Sequence, residues 1–92
     1  MLIPPDYQHL LALSPREWVV LCQVANFYTP KEIAEKLSLT AKAVNTYNKR
    51  IADKLGYSDS HEMIRFAVNN ANLIAEVYKE HLMIQALKKP KG

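Results

Sequence analysis

The sequence predicts an all-α fold: a four-helix domain built on a helix-turn-helix, with an extended C-terminal helix. Three observations predict it. Apolar residues recur at three- and four-residue steps along most of the chain. The same helix-start grammar occurs twice, as Ser14-Pro15-Arg16-Glu17 and as Thr29-Pro30-Lys31-Glu32. Only two glycines are present, and neither stands in an Asn-Gly or Asp-Gly hairpin turn.

Residues 1–12 hold Pro4 and Pro5 and leave room for one short helical turn over Asp6 to Leu11. The first clear helix starts at Ser14, with the cap, a proline at the first helical position and a capping-box glutamate at the third. Leu13 can pack on Trp18 as a hydrophobic staple, and Val20, Leu21, Val24 and Ala25 continue the apolar stripe. The second helix begins at Thr29, with Tyr28 and Ile33 as the staple pair, and buries Ile33, Ala34 and Leu37. Ser38 and Leu39 break it. Thr40 caps a third helix that reaches Leu55, where Gly56 suits a left-handed stop. Ser58 or Asp59 begins a fourth helix carrying Ile64, Ala67, Val68 and Ala71, and a further helical pattern continues to about Leu87. A short helix joined to a longer one by about three residues is the helix-turn-helix arrangement, although a small helical bundle of any other function can share that pattern.

The 92 residues suffice for one domain with a thin core. No apolar run is long enough to span a bilayer, and the start of the chain has neither the basic end nor the apolar stretch of a signal peptide. The single cysteine, Cys22, excludes an internal disulfide and fits a reducing compartment, so a cytoplasmic protein is expected. The net charge of +3 is unevenly placed. Residues 1–39 carry −1, residues 40–57 carry +3 through Lys42, Lys49, Arg50 and Lys54 against Asp53, and the remainder carries +1. Such a segment suits a surface that meets phosphate, though a solvated helix face has the same composition.

Four fragments carry a specific resemblance. Leu13-Ser14-Pro15-Arg16-Glu17, Lys31-Glu32-Ile33-Ala34-Glu35-Lys36-Leu37, Thr40-Ala41-Lys42-Ala43-Val44-Asn45-Thr46-Tyr47 and Lys54-Leu55-Gly56 occur in order. Their intervals resemble the LuxR-type (GerE-type) helix-turn-helix, the output domain of many response regulators. The resemblance covers Leu13 to about Leu73. It implies a third helix that enters the major groove and a fourth that often makes a dimer contact. The chain then divides into an N-terminal arm (1–12), the helix-turn-helix domain (13–73), and a C-terminal helical extension with a basic tail (74–92).

Periodicity assigns the faces of the third helix independently. Val44, Ile51 and Leu55 share the core side, while Lys42, Asn45, Thr46 and Lys49 form one outward stripe. The stripe matches the family's groove-facing positions. The chain departs from the family at Asn45, where lysine is usual, at Tyr47, where histidine is common, and at Ala43, where threonine is usual. Asparagine pairs bidentately with adenine, whereas lysine favours guanine; the alternative is that Asn45 sits on a solvated face. Phosphate contacts are expected from Lys49, Arg50, Lys54 and Tyr47, and from the helix start at Thr29 and Lys31, whose free amides favour an anion.

Other chemistry finds little support. His9, His61 and His81 lie far apart in sequence with no cysteine or acid pair at ligand spacing. Cys22 has no neighbouring base and reads as a small apolar residue. Neither a phosphate-binding glycine loop nor a nucleophile elbow occurs, so no enzyme activity, cofactor or metal is expected. The expected function is a DNA-binding transcriptional regulator, with double-stranded DNA, a second copy of the chain and RNA polymerase as partners. The alternative is a protein-interaction module that forms mixed dimers without binding DNA. Ile74, Val77 and Tyr78, with Leu82 beyond, make an apolar stripe that must be covered. The candidates are the first helix, broadened by Trp18 and Val19, and the same stripe on a second chain. Homodimerisation through Val68, Ala71, Ile74, Val77 and Tyr78 is the expectation, since a two-fold pairing sets two recognition helices about 34 Å apart.

Overall fold

Caps define where each helix begins. The computed structural model describes residues 7–88, which form six helices and no strand: α1 (Tyr7–Leu11), α2 (Pro15–Ala25), α3 (Pro30–Leu37), α4 (Ala41–Leu55), α5 (Ser60–Asn69) and α6 (Ala71–Lys88). Both predicted capping boxes are formed. The Ser14 hydroxyl accepts from the Glu17 amide at 3.2 Å while the Ser14 amide donates to the Glu17 carboxylate at 2.8 Å. Thr29 and Glu32 repeat that pair at 3.2 and 2.8 Å. Thr40 caps α4 and Asp59 caps α5 in the same sense. Residues 1–6 of the predicted arm and residues 89–92 of the predicted basic tail lie outside the described residues.

The ends of α2, α3 and α4 share one device. Phe27, Ser38 and Gly56 adopt left-handed backbone (φ 70, 58 and 85), which turns the next amide back onto the helix. Tyr28 thus donates to the Gln23 carbonyl, Leu39 to Ala34 and Tyr57 to Ala52. Only Gly56 avoids the steric penalty of that conformation. Ser38 is therefore the pivot between the two helices of the helix-turn-helix.

The core gathers the inward stripes of all six helices. Trp18, Val20, Leu21, Ile33, Val44, Ile51 and Met63 are completely buried. Helix α2 runs through the middle, packing against α3, α4, α5 and α6. Helix α5 buries Met63, Phe66 and Ala67, with Ile64 and Val68 only half-buried. The buried face is thus turned by about one residue from the predicted stripe of Ile64, Ala67, Val68 and Ala71, toward Met63 and Phe66. Asn70 ends α5 by capping back onto Phe66 and Ala67, and Ala71 belongs to the next helix.

The choice between the two covers for the α6 stripe falls to α2. Ile74 and Val77 are 1% and 3% exposed within this single chain. The Tyr78 ring lies 5.3 Å from the Trp18 ring, and His81 follows at 5.7 Å. Ile74, Val77 and Tyr78 therefore complete the core of their own domain, and the expectation that they form a dimer seam is corrected. The physical reason is proximity: one residue, Asn70, links α5 to α6, so the stripe folds onto α2 without waiting for a second chain. Leu82, Met83 and Leu87, further along α6, remain exposed.

Candidate nucleic-acid interface

Helix α4 has two opposed faces. Val44, Asn48, Ile51, Ala52 and Leu55 are buried, whereas Lys42, Asn45, Thr46 and Lys49 are exposed along the opposite side. Asp53 is the next exposed residue on that side and ends its positive character toward the helix C-terminus. Lys49 shares a shallow depression with Asp53 and Asp59, so the positive character of the stripe is strongest toward its N-terminal end. A second depression is lined by Thr40, Lys42, Ala43, Thr46, Tyr47 and Arg50.

The start of α4 strengthens this polarity. Glu17, Glu32 and Glu62 stand in the first turns of α2, α3 and α5, but no acid stands in the first turn of α4. Its positive dipole end therefore meets no carboxylate within its own first turn. The Thr46 hydroxyl donates to the Lys42 carbonyl at 3.1 Å, which orients its methyl and oxygen on the exposed face. Tyr47 is half-buried, and the Arg50 guanidinium lies 5.9 Å from its ring centroid. That stacking limits the freedom of an exposed arginine without consuming its donors.

Two predicted phosphate positions need correction. Lys54 donates to the Glu17 carboxylate at 2.8 Å, and its ammonium lies 3.4 Å from the Ala12 carbonyl. It ties the end of α4 to the start of α2 and is not a free phosphate ligand. Thr29 and Lys31 are exposed at the start of α3, but that end is not a set of free amides. The capping box engages the amides of Thr29 and Glu32, and Pro30 has none. Glu32 also brings a negative charge to the same turn, so any phosphate contact there falls to the Lys31 side chain and amide.

The Glu17–Lys54 pair has a testable signature. Burial pushes the Glu17 carboxyl up, but the Lys54 hydrogen bond, the Ser14 amide, the Lys54 charge and the Ser14 hydroxyl together leave it below its ordinary 4.5. A depressed carboxylate contributes stability above its unfolded value and loses it as pH falls through the folded value. Lys54→Met is expected to cost about 1–2 kcal/mol at pH 7, below the 3–5 of a fully buried pair because the lysine is solvent-screened. The cost should shrink as pH drops below 4.5 and Glu17 becomes neutral. Chemical denaturation at pH 7 and pH 3 checks this; equal costs at both would disconnect Lys54 from Glu17.

Asn48 was missed by the sequence reading. It is 3% exposed, and its Oδ1 has no hydrogen-bond partner. The signal was available, because Asn48 is four residues from Val44 on the core side of α4. The Glu17–Lys54 pair had no such signal, since 37 residues separate its members. Cys22 is half-buried, and burial pushes its thiol up to about 11, which keeps it protonated near neutrality. Among the described residues, no group of three or more His, Cys, Asp or Glu side chains is placed to hold a metal ion, and no helix is long and apolar enough to cross a membrane.

Residues 11–67 match the family GerE, described as bacterial regulatory proteins of the luxR family. The chain is 37% identical over 59 residues to the response regulator GacA of Pseudomonas aeruginosa, a match covering 64% of this chain and 28% of that protein. It is 39% identical over 64 residues to the fimbriae Z protein of Salmonella typhimurium, covering 70% of this chain and 30% of that one. The oxygen regulatory protein NreC of Staphylococcus aureus is 39% identical over 56 residues, covering 61% of this chain and 26% of its own length. The matches thus span less than a third of each of these relatives. No solved structure gives a significant match.

Proposed function

The chain belongs to the luxR family of bacterial regulatory proteins, and from that premise we propose that it is a sequence-specific DNA-binding transcriptional regulator that sets α4 in the major groove. The observation that supports this most is the exposed Lys42, Asn45, Thr46 and Lys49 stripe opposite the buried face of α4, on a helix whose first turn holds no acid. In this reading Lys42, Asn45 and Thr46 face base edges. Lys49, Arg50, Tyr47 and Lys31 meet the phosphate backbone, Thr29 stays in its capping box, and Lys54 stays with Glu17. Residues 13–73 act as the DNA-binding unit, with Ile74 and Val77 of α6 completing its core.

The protein acts as a homodimer on a pseudo-palindromic site, with RNA polymerase as the further partner at a promoter. Two features support pairing. Ala71 is only half-buried at the α5–α6 junction, and Leu82 and Met83 stand 49% and 64% exposed on α6. Covering such residues with the same surface of a second copy gives a closed two-fold contact.

The test is quantitative binding to duplex DNA as a function of salt. Lys49→Ala and Arg50→Ala should each weaken binding similarly across sequences and make the slope of log affinity against log salt shallower by roughly 0.9. Lys54→Met should leave that slope unchanged. Full sites should bind more tightly than half-sites. Absence of any salt-dependent binding to bulk genomic DNA would favour the interaction-module alternative.

A further inference from the structure

A cleft opens between the end of α2, the start of α3 and the outer side of α5, away from the exposed stripe of α4. Its volume is about 250 Å3, and its walls include Val24, Phe27, Ile33, Ile64 and Val68, with Asn48 among the lining residues. Two features distinguish it from an ordinary surface dent. Asn48 is 3% exposed, yet its Oδ1 meets no donor. Native interiors leave few such groups, because a buried amide without a partner has lost water and gained nothing. Phe27, at the cleft, is 72% exposed and held in left-handed backbone at φ 70. Its backbone is set by the helix stop, but a large exposed ring beside an apolar cleft leaves apolar area to be covered.

We propose that this cleft is a binding site for a small apolar molecule carrying a hydroxyl, with the ring or chain against Phe27, Ile64 and Val68 and the hydroxyl on the Asn48 amide. The size points to a small ligand. An aliphatic cavity of roughly 150 Å3 accommodates benzene, so about 250 Å3 takes one ring with a short substituent and is too small for a drug-sized cofactor. The wall chemistry favours an uncharged ligand, since none of the lining residues is charged. A hydroxyl suits the polar end because it donates and accepts. A hydroxyl can pair with either the oxygen or the nitrogen of the Asn48 amide.

Direct binding tests the site on the full chain. Amide NMR titration with 4-ethylphenol and with ethylbenzene separates the hydroxyl from the ring. The expected result is a saturable shift of resonances from Phe27, Asn48, Ile64 and Val68, with a dissociation constant on the order of 1 mM or tighter for the phenol. Ethylbenzene should bind roughly fivefold more weakly, the difference one hydrogen bond supplies. Asn48→Leu should abolish that preference while retaining the melting transition. Equal affinities in the wild-type chain overturn the assignment of Asn48, whatever the variant does. Shifts centred on Leu82 and Met83 indicate unspecific apolar binding and overturn the site. So do shifts of the cleft resonances with protein concentration alone, which would mean that a second copy fills it.

Discussion

A chain ending at Leu73 is expected to melt about 15–30 °C below the full chain, and to do so at every protein concentration. The family match ends at residue 67, so by that pattern α6 is an appendage. The packing is otherwise. Truncation removes Ile74 and Val77, which are 1% and 3% exposed, and the Tyr78 ring that lies 5.3 Å from Trp18. A fully buried aliphatic side chain contributes roughly 1.5–3 kcal/mol, and Trp18, now completely buried, would be opened to water. A loss of about 4 kcal/mol is therefore a conservative figure, and each kcal/mol moves the midpoint of a domain this size by about 4–8 °C. Thermal melts at two concentrations a hundredfold apart make the measurement. A truncated chain that melts within about 5 °C of the full one would return α6 to the role of an assembly helix. The same experiment shows why truncation is a poor test of dimerisation here: it removes core before it removes interface.

Asn45→Ala is expected to weaken binding to the preferred site by about 1–3 kcal/mol, roughly 5- to 150-fold, and to relax preference at one base position. Asn45 is exposed in the first half of α4, on the same side as Lys42 and Lys49. An asparagine amide offers adenine a donor and an acceptor together, so the loss should be selective for a single A·T pair. The salt slope should stay unchanged, because no phosphate contact is removed. Asn45→Lys, the residue usual in the family, should move the preference at that position toward guanine. Selection of bound sequences from a random pool with each variant provides the readout. Identical selected sites for wild type and both variants would remove Asn45 from base readout and leave it a solvated residue.

These predictions differ in how much of each could be read without the fold. Both capping boxes, the Thr40 cap, the Gly56 stop and the two faces of α4 were legible in the sequence. Each is decided within one or two helical turns. A proline at the first helical position, a glutamate three residues past a cap, and apolar residues four apart interact with neighbours whose positions the helix itself sets. The family resemblance rests on those same local signatures, which is why it agreed with the caps.

What the sequence left open was which surfaces meet. An apolar stripe such as Ile74, Val77 and Tyr78 states that it must be covered, not by what; α2 and a second chain present similar surfaces to it. Lys54 could have faced phosphate or a carboxylate, and only the approach of α2 to the end of α4 brought Glu17 within 2.8 Å. The cleft beside Asn48 likewise exists only because α2, α3 and α5 meet around it. Local order on one helix follows from backbone geometry over a few residues. The choice of partner for a face depends on loop closure and shape across the whole chain, and for this protein the tertiary structure alone made that choice.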